Sequence, residues 1–327
     1  MRMLYALQGT GNGHISRARE LVPLLARYGQ VDVLVSGTHS EIGLNHPILY
    51  RFHGMGFQFG KSGGVAVGQT IRQLRPLRFI KDLYALPIKA YDLILNDFEP
   101  VSAYAAKRAG QKVHAISHQA AFLSPKSPRP AHTNAPFAEW LFRHYAPSNT
   151  QTAFHFKAYD DFIHPPIIRD EIRKLEPVSR DHITVYLPAY EEAYLISHFH
   201  KIPEIQWHLF SKHTSRVVED KNVSIKPVNN QQFLDSLATS QGLLTGGGFE
   251  SPAEALYLGK RLFVVPMHNQ YEQQCNAAAL AEMGIPVVAK IEQGFDGKLR
   301  NWLREEQVIK LDFPNISHEL VKSIAHI

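Results

Sequence analysis

Short apolar runs alternate with helix-length amphipathic stretches along almost the whole chain. Met3–Leu7, Val31–Val35, Leu49–Phe52, Leu93–Asn96 and Val113–Ile116 read as strands, with helices over Ser16–Tyr28, Gln69–Leu86 and Val101–Ala109. Such alternation predicts a parallel sheet covered on both faces, because a parallel crossover needs a helix-sized connection. The pattern breaks at His164-Pro165-Pro166 and the charged stretch Arg169–Glu176, then restarts. Ile183–Leu187, Ile205–Phe210, Val223–Lys226, Gly242–Thr245 and Leu262–Val265 are the second set of strands. Helices are expected near Glu191–Phe199, Gln231–Ala238, Ser251–Leu258 and Gln270–Met283. Gly54–Gly68 reads as a mobile loop and the proline-rich Ser124–Pro136 as a surface loop. The 327 residues suit two domains of ordinary size. The expected fold is α/β, with two Rossmann-like doubly wound parallel-sheet domains facing a cleft. Residues 1–163 form the first, 164–178 a linker and 179–312 the second, with a C-terminal helix in 313–327 packing back on the first.

Composition narrows the function. At 44% hydrophobic and 20% charged residues, two packed cores are supplied. No apolar run has the length of a membrane span, and the N-terminus reads as a strand rather than a signal peptide, so a cytoplasmic location is expected. Cys275 is the single cysteine, which excludes an internal disulfide and a cysteine-based zinc site. The 18 histidines do not fall in metal-ligand spacing; no metal and no cofactor is expected. A net charge of +5 permits a phosphate-bearing ligand or an anionic membrane, while no nucleic-acid motif or basic tract is present.

Two glycine clusters carry the chemistry. Gly9-Thr10-Gly11-Asn12-Gly13-His14 lies between a strand and a helix. Gly11 and Gly13 let the backbone turn tightly and approach a ligand, and the helix offers free N–H groups and a partial positive charge. The loop suits a pyrophosphate or a plain tight turn. His14, on the first helical turn, suits a general base at the cleft or a helix-start histidine bonded to nearby backbone.

The second cluster is Gly246-Gly247-Gly248-Phe249, between the strand Gly242–Thr245 and a helix near Ser251. Three glycines keep side chains away from a phosphate. Ser251 before Pro252 reads as an N-cap, and Glu254 suits either a ribose diol or a capping box. After the strand Leu262–Val265, Gln270, Glu272, Gln273 and Gln274 gather at another helix start, where amides and carboxylates suit sugar hydroxyls.

This order resembles the donor domain of GT-B glycosyltransferases. It is most similar to the MurG-type GlcNAc transferases and the plant and antibiotic glucosyltransferases. The matching residues are G-G-G-F-E-S-P-A-E, G-K-R and V-V-P, then Glu272, Gln273, Gln274 and Asn276-Ala277. The N-terminal G-T-G-N-G-H is similar to the acceptor-domain loop of the same fold. The resemblance implies an inverting, metal-independent transfer from a nucleotide sugar, a UDP-sugar by preference, to a hydroxyl acceptor, lipid-linked or glycan. It implies that Glu254 holds the ribose, Ser251 and Gly246–Gly248 the phosphates, and Gln273 and Gln274 the sugar. Pro227–Asn230, with Val228, would border the base, and His14 would be the base or would help neutralise the leaving diphosphate. Two departures stand out: Leu187-Pro188-Ala189-Tyr190 replaces a glycine-serine loop, and Arg261 replaces a proline. A nucleotide-sugar 2-epimerase or a non-catalytic sugar-nucleotide-binding protein of the same fold fits the same pattern.

Asp97 and Glu99, after the strand Leu93–Asn96, and His118, after Val113–Ile116, complete the acid–base candidates. Asp97 would orient His14, or else cap the helix that follows Pro100. Glu99 and His118 would lie on the acceptor side. Arg72, Arg75, Arg78 and Lys81, interleaved with apolar residues, could contact anionic lipid headgroups or form an ordinary solvated face.

Overall fold

The computed structural model describes residues 1–37, 43–44, 46–54, 76–131, 133, 135–268, 270–305 and 308–326. The first sheet has seven parallel strands: β1 (Arg2–Gln8), β2 (Gln30–Ser36), β3 (Ile48–Phe52), β4 (Leu93–Asp97), β5 (His114–Ser117), β6 (Thr150–Phe154) and β7 (Ile163–His164). Their spatial order is β3-β2-β1-β4-β5-β6-β7. The order reverses between β1 and β4, the position where open α/β sheets form a ligand crevice. Helices α1 (Asn12–Leu25), α2 (Pro76–Ala85), α3 (Pro100–Ala109) and α4 (Pro136–His144) accompany this sheet, and the short α5 (Asp170–Arg173) follows it.

The second sheet holds β8 (His182–Tyr186), β9 (Gln206–Ser211), β10 (Val218–Asp220), β11 (Val223–Pro227), β12 (Gly242–Thr245) and β13 (Arg261–Val264). Its order is β10-β11-β9-β8-β12-β13, parallel except for the β10–β11 hairpin. The helices are α6 (Glu192–Phe199), α7 (Asn230–Thr239), α8 (Glu250–Tyr257), α9 (Tyr271–Glu282), α10 (Phe295–Arg304) and α11 (Ser317–Ile324). Helix α11 packs against α1.

Burial follows the two-residue period of the strands. Met3, Tyr5 and Leu7 of β1 join one core, while Leu4 and Ala6 join the core on the opposite face. The first of these cores is continuous with Ile167, Ile168 and Ile172 and with Leu243, Phe249 and Leu256. Residues 166–172 are therefore largely packed, while residues 176–178 are exposed. His164 is in β7, and the isoleucines that follow are buried between the sheets.

Several boundaries shift. Helix α1 starts at Asn12, with Gly11 as its cap at φ 97°, so His14 lies inside the helix. Ser251 is not a cap: α8 begins at Glu250 with Phe249 before it and no side-chain cap. β6, β7, β10, α4 and α10 add to the expected elements. Residues 55–68 of the glycine-rich stretch, 69–75 of the expected second helix, and with them Arg72 and Arg75, lie outside the described residues.

Candidate active site

Parallel strands end at one edge of each sheet, and the chemistry collects there. β1 runs into the glycine loop and α1, which carries His14 and Arg17 one turn apart on the same face. β4 ends at Asp97, and the next residue, Phe98, has a φ of 56°. A left-handed backbone at a bulky residue is an outlier that only its surroundings can hold. Phe98 packs on Tyr145 at 4.9 Å between centroids. The turn is fixed by Asn96, whose side chain accepts from Glu99 N (3.0 Å) and donates to Glu99 O (2.7 Å).

Asp97 is fully buried. His14 Nδ1 lies 2.8 Å from Asp97 Oδ1. Arg17 grips the same carboxylate twice, Nε to Oδ2 at 2.9 Å and Nη2 to Oδ1 at 3.0 Å. Burial opposes charging Asp97, but Arg17 and His14 outweigh it and hold the carboxyl below its ordinary value. In the neutral ring, a carboxylate at Nδ1 makes that nitrogen the protonated one and leaves Nε2 with its lone pair, in a side chain 10% exposed.

Glu99 is corrected by this geometry. Its carboxylate accepts from Val101 N (2.7 Å) and Ser102 N (2.6 Å), the N-cap of α3, and is fully buried. Capping therefore falls to Glu99 and leaves Asp97 for His14. His118 is also committed. Its Nδ1 meets Phe154 O and its Nε2 meets Asn276 Oδ1, both at 2.8 Å. Its ring stacks on Phe249 at 3.9 Å, and burial lowers its pKa. His118 and Phe249 thus pin the two halves together rather than line an open acceptor face.

The triple-glycine corner is bound to the start of α9. Gln273 Oε1 accepts from Gly247 N (3.1 Å) and Met267 N (2.9 Å), and Asn276 Nδ2 donates to Gly247 O (3.0 Å). A Cβ on Gly247 would sit 2.4 Å from Gln273 O, one on Gly246 would meet Gln273 Oε1 at 3.3 Å, and one on Gly248 would meet nothing within 4 Å. Gln273 is thereby occupied with backbone, and Gln274 beside it is half-buried. Gln270 precedes α9, and its Oε1 is buried with no hydrogen-bond partner among the described residues. Val228 follows β11 and donates its N–H to Ser211 O.

Glu254 is buried, and its Oε1 accepts from Arg169 Nε (2.8 Å) and Nη2 (2.7 Å). Burial raises its pKa and Arg169 opposes that rise. Arg169 also binds Glu171 and Asn230. One turn earlier, Glu250 Oε1 accepts from Arg17 Nη1 at 2.8 Å, across the cleft. Its side chain keeps 19% exposure, and burial pushes its pKa up to about 7, against the pull of Arg17. Glu250 comes close to Gly13: a Cβ there would meet Glu250 Cγ at 3.1 Å. Sequence reading missed Arg17, Arg169, Glu250 and the bridging role of Asn276. The three-residue spacing from His14 to Arg17 and the four-residue spacing from Glu250 to Glu254 were the available signals. A cavity of about 200 Å³ lies along the outer side of α1, lined by Arg19, Glu20, Leu44, His46, Arg169 and Glu171. It shares Arg169 with this network but not His14 or Asp97.

The profile of glycosyl transferase family 1 matches residues 1–304. The chain belongs to that family. No curated protein matches it by sequence. Among solved structures it is similar to Acinetobacter baumannii MurG, with a TM-score of 0.58 at 14% identity over 100% of this chain and 99% of that one. Arabidopsis thaliana UGT89C1, solved with UDP-L-rhamnose, gives 0.63 at 14% over 99% and 93%. A UDP-glucosyltransferase from Polygonum tinctorium gives 0.60 at 13% over 99% and 92%. These likenesses establish the GT-B fold, and family membership makes the chain a glycosyltransferase. Within that fold, the first sheet carries the histidine and the second the triple-glycine corner.

Proposed function

We propose that this glycosyltransferase moves a sugar from a nucleotide sugar, with UDP the favoured nucleotide, to an acceptor hydroxyl with inversion and without a metal ion. The observation that carries the reading is the His14–Asp97 contact at the carboxyl ends of β1 and β4, facing the helix that leaves the triple-glycine corner. His14 Nε2 takes the acceptor proton, the acceptor oxygen bonds to the anomeric carbon, and the bond to the diphosphate breaks with its electron pair leaving on phosphate. The N-terminus of α8 and the amides of Gly246 and Gly248 face the charge that develops there, while the Gly247 amide is held by Gln273. Glu254 holds the ribose through the carboxylate oxygen that Arg169 leaves open, Ser251 supports the phosphates, and Gln274 and Gln270 reach the sugar. Val228 borders the base. The division into acceptor-side residues 1–163 and donor-side residues 179–312 belongs to the same reading.

A thermal-shift panel of UDP-, GDP- and dTDP-sugars tests it. A bound donor stabilises the folded chain by mass action, about 2.7 kcal/mol at a hundredfold excess over Kd, and so raises the melting temperature. Glu254→Ala removes the shift. No shift with any of the three at saturating concentration sinks the donor assignment.

We infer a second partner, an anionic membrane surface. Leu77, Ile80 and Tyr84 on α2 and Phe137 and Trp140 on α4 are exposed. Both helices meet α3, through Phe79 on Tyr104 and through the bond from the Tyr104 hydroxyl to His144 O. Arg78, Lys81, Lys107, Arg108 and Arg143 are exposed around them. Aromatic and aliphatic side chains among basic ones suit the boundary between headgroup and acyl chain. Among the described residues no helix is long and apolar enough to cross a membrane.

A further inference from the structure

Among the described residues of the site, Arg17 is the side chain that holds a carboxylate on each side of the cleft. Its Nε and Nη2 hold Asp97, and its Nη1 holds Glu250. The guanidinium is buried and lies over the Phe154 ring at 5.5 Å, so its plane is fixed. Asp97 Oδ1 is shared between Arg17 Nη2 and His14 Nδ1. The groups that face this cluster are the buried Tyr5 hydroxyl on β1, Glu254 on α8 and, beyond it, Arg169.

Building on the proposed role of His14, we propose that Arg17 is a positioning residue that makes Asp97's hold on His14 depend on Glu250, and so on contact between the two halves. A guanidinium divided between two carboxylates leaves more of Asp97's charge to the imidazole. Without Glu250, the whole guanidinium charge falls on Asp97, which Arg17 already grips through Nε and Nη2. Asp97 Oδ1 then holds Arg17 more tightly at the expense of His14 Nδ1, and the Nδ1–H form of His14 loses part of its preference. A base formed in this way is ready only when the donor-side helix is in place.

The test needs no sugar substrate. The full chain is labelled with 15N-histidine and its imidazole nitrogens are observed at pH 8, where Glu250, with its value of about 7, is ionised. His14→Gln assigns the resonances by their loss. In the wild-type chain the Nδ1–H tautomer of His14 is expected to exceed the other by about fivefold, the worth of one hydrogen bond. The ratio does not fall in Arg17→Met, which removes the donor that competes for Asp97. In Glu250→Gln, which is isosteric and does not touch His14, it falls about twofold or more, and in the Arg17→Met background Glu250→Gln changes nothing further. Glu272→Gln, which loses a different bridge across the halves (Gln119 Nε2 to Glu272 Oε2, 3.1 Å), leaves His14 unchanged. A wild-type His14 spectrum in Glu250→Gln overturns the coupling, as does an equal change in Glu272→Gln. If Arg17→Met does not fold, Glu250→Gln set against Glu272→Gln decides it. Nucleotide sugars that fail to bind would remove the proposed reaction and leave this result standing.

Discussion

Asp97 receives three hydrogen bonds from two basic side chains in a space closed to solvent. Removing its charge and removing the imidazole therefore have different consequences. His14→Gln is expected to lower kcat by about 10²–10⁴-fold, the range for a general base, with the fold intact. Asp97→Asn lowers kcat too and also costs about 3–5 kcal/mol of stability, because Arg17 is left buried beside a neutral group. Turnover and chemical denaturation on the two variants check this; equal stability losses would contradict it. Glu250 sets a pH dependence. Its folded value of about 7 lies above the ordinary 4.5. The folded state therefore holds the proton more tightly, and Glu250's contribution is favourable below pH 4.5 and is lost as pH rises to about 7. Glu250→Gln should gain stability relative to the wild-type chain over that window, by on the order of 1–3 kcal/mol, and the difference should be flat above it. A constant difference in melting temperature between pH 5 and pH 8 would refute the assignment.

At the scale of elements, the glycine corner between β12 and α8 is shaped by its contact with α9. Gly247 has no room for a Cβ because the Gln273 backbone lies against it, whereas Gly248 has open space and a φ outside the left-handed region. Gly247→Ala is expected to cost about 1–3 kcal/mol by overpacking. Gly248→Ala should change stability by no more than about 0.5 kcal/mol. Urea denaturation distinguishes the pair, and equal effects would mean that the α9 contact does not shape the corner. The strand before this corner was legible as a short apolar run bounded by glycines, and the helix after it by the Ser251-Pro252 start. The cap of α8 was misread. Ser251-Pro252 carries a cap signature, but the chain reaches helical geometry one residue earlier, where Glu250 meets Arg17. A tertiary ion pair outweighed a local preference.

At the scale of the whole molecule, a continuous core and a set of polar bridges join the two sheets. The exposed apolar and basic faces of α2 and α4 belong to the first half, and α4 also meets the second half through Glu139, which accepts from the Tyr271 hydroxyl. The chain should sediment with phosphatidylglycerol-containing vesicles, less so as salt rises, and not with pure phosphatidylcholine. Trp140→Asp and Leu77→Asp should each weaken binding without affecting nucleotide-sugar binding. Equal recovery with both kinds of vesicle, or with neither, would end the membrane proposal.

The amino-acid order by itself determined the layered α/β architecture, the two glycine-to-helix junctions and the placement of His14 on a first helical turn and Asp97 at a strand end. Each of these is written in periodicity or in residues a few positions apart. Only the tertiary structure decided what Asp97, Glu99, Glu250 and Glu254 do. A carboxylate near a helix start looks the same in sequence whether it caps, pairs or binds. What separates Glu99, bonded to its own helix, from Asp97 and Glu250, which share Arg17, is burial beside partners up to 233 positions away. Electrostatics in a low-dielectric cleft depends on those distances in space, and no local pattern carries them.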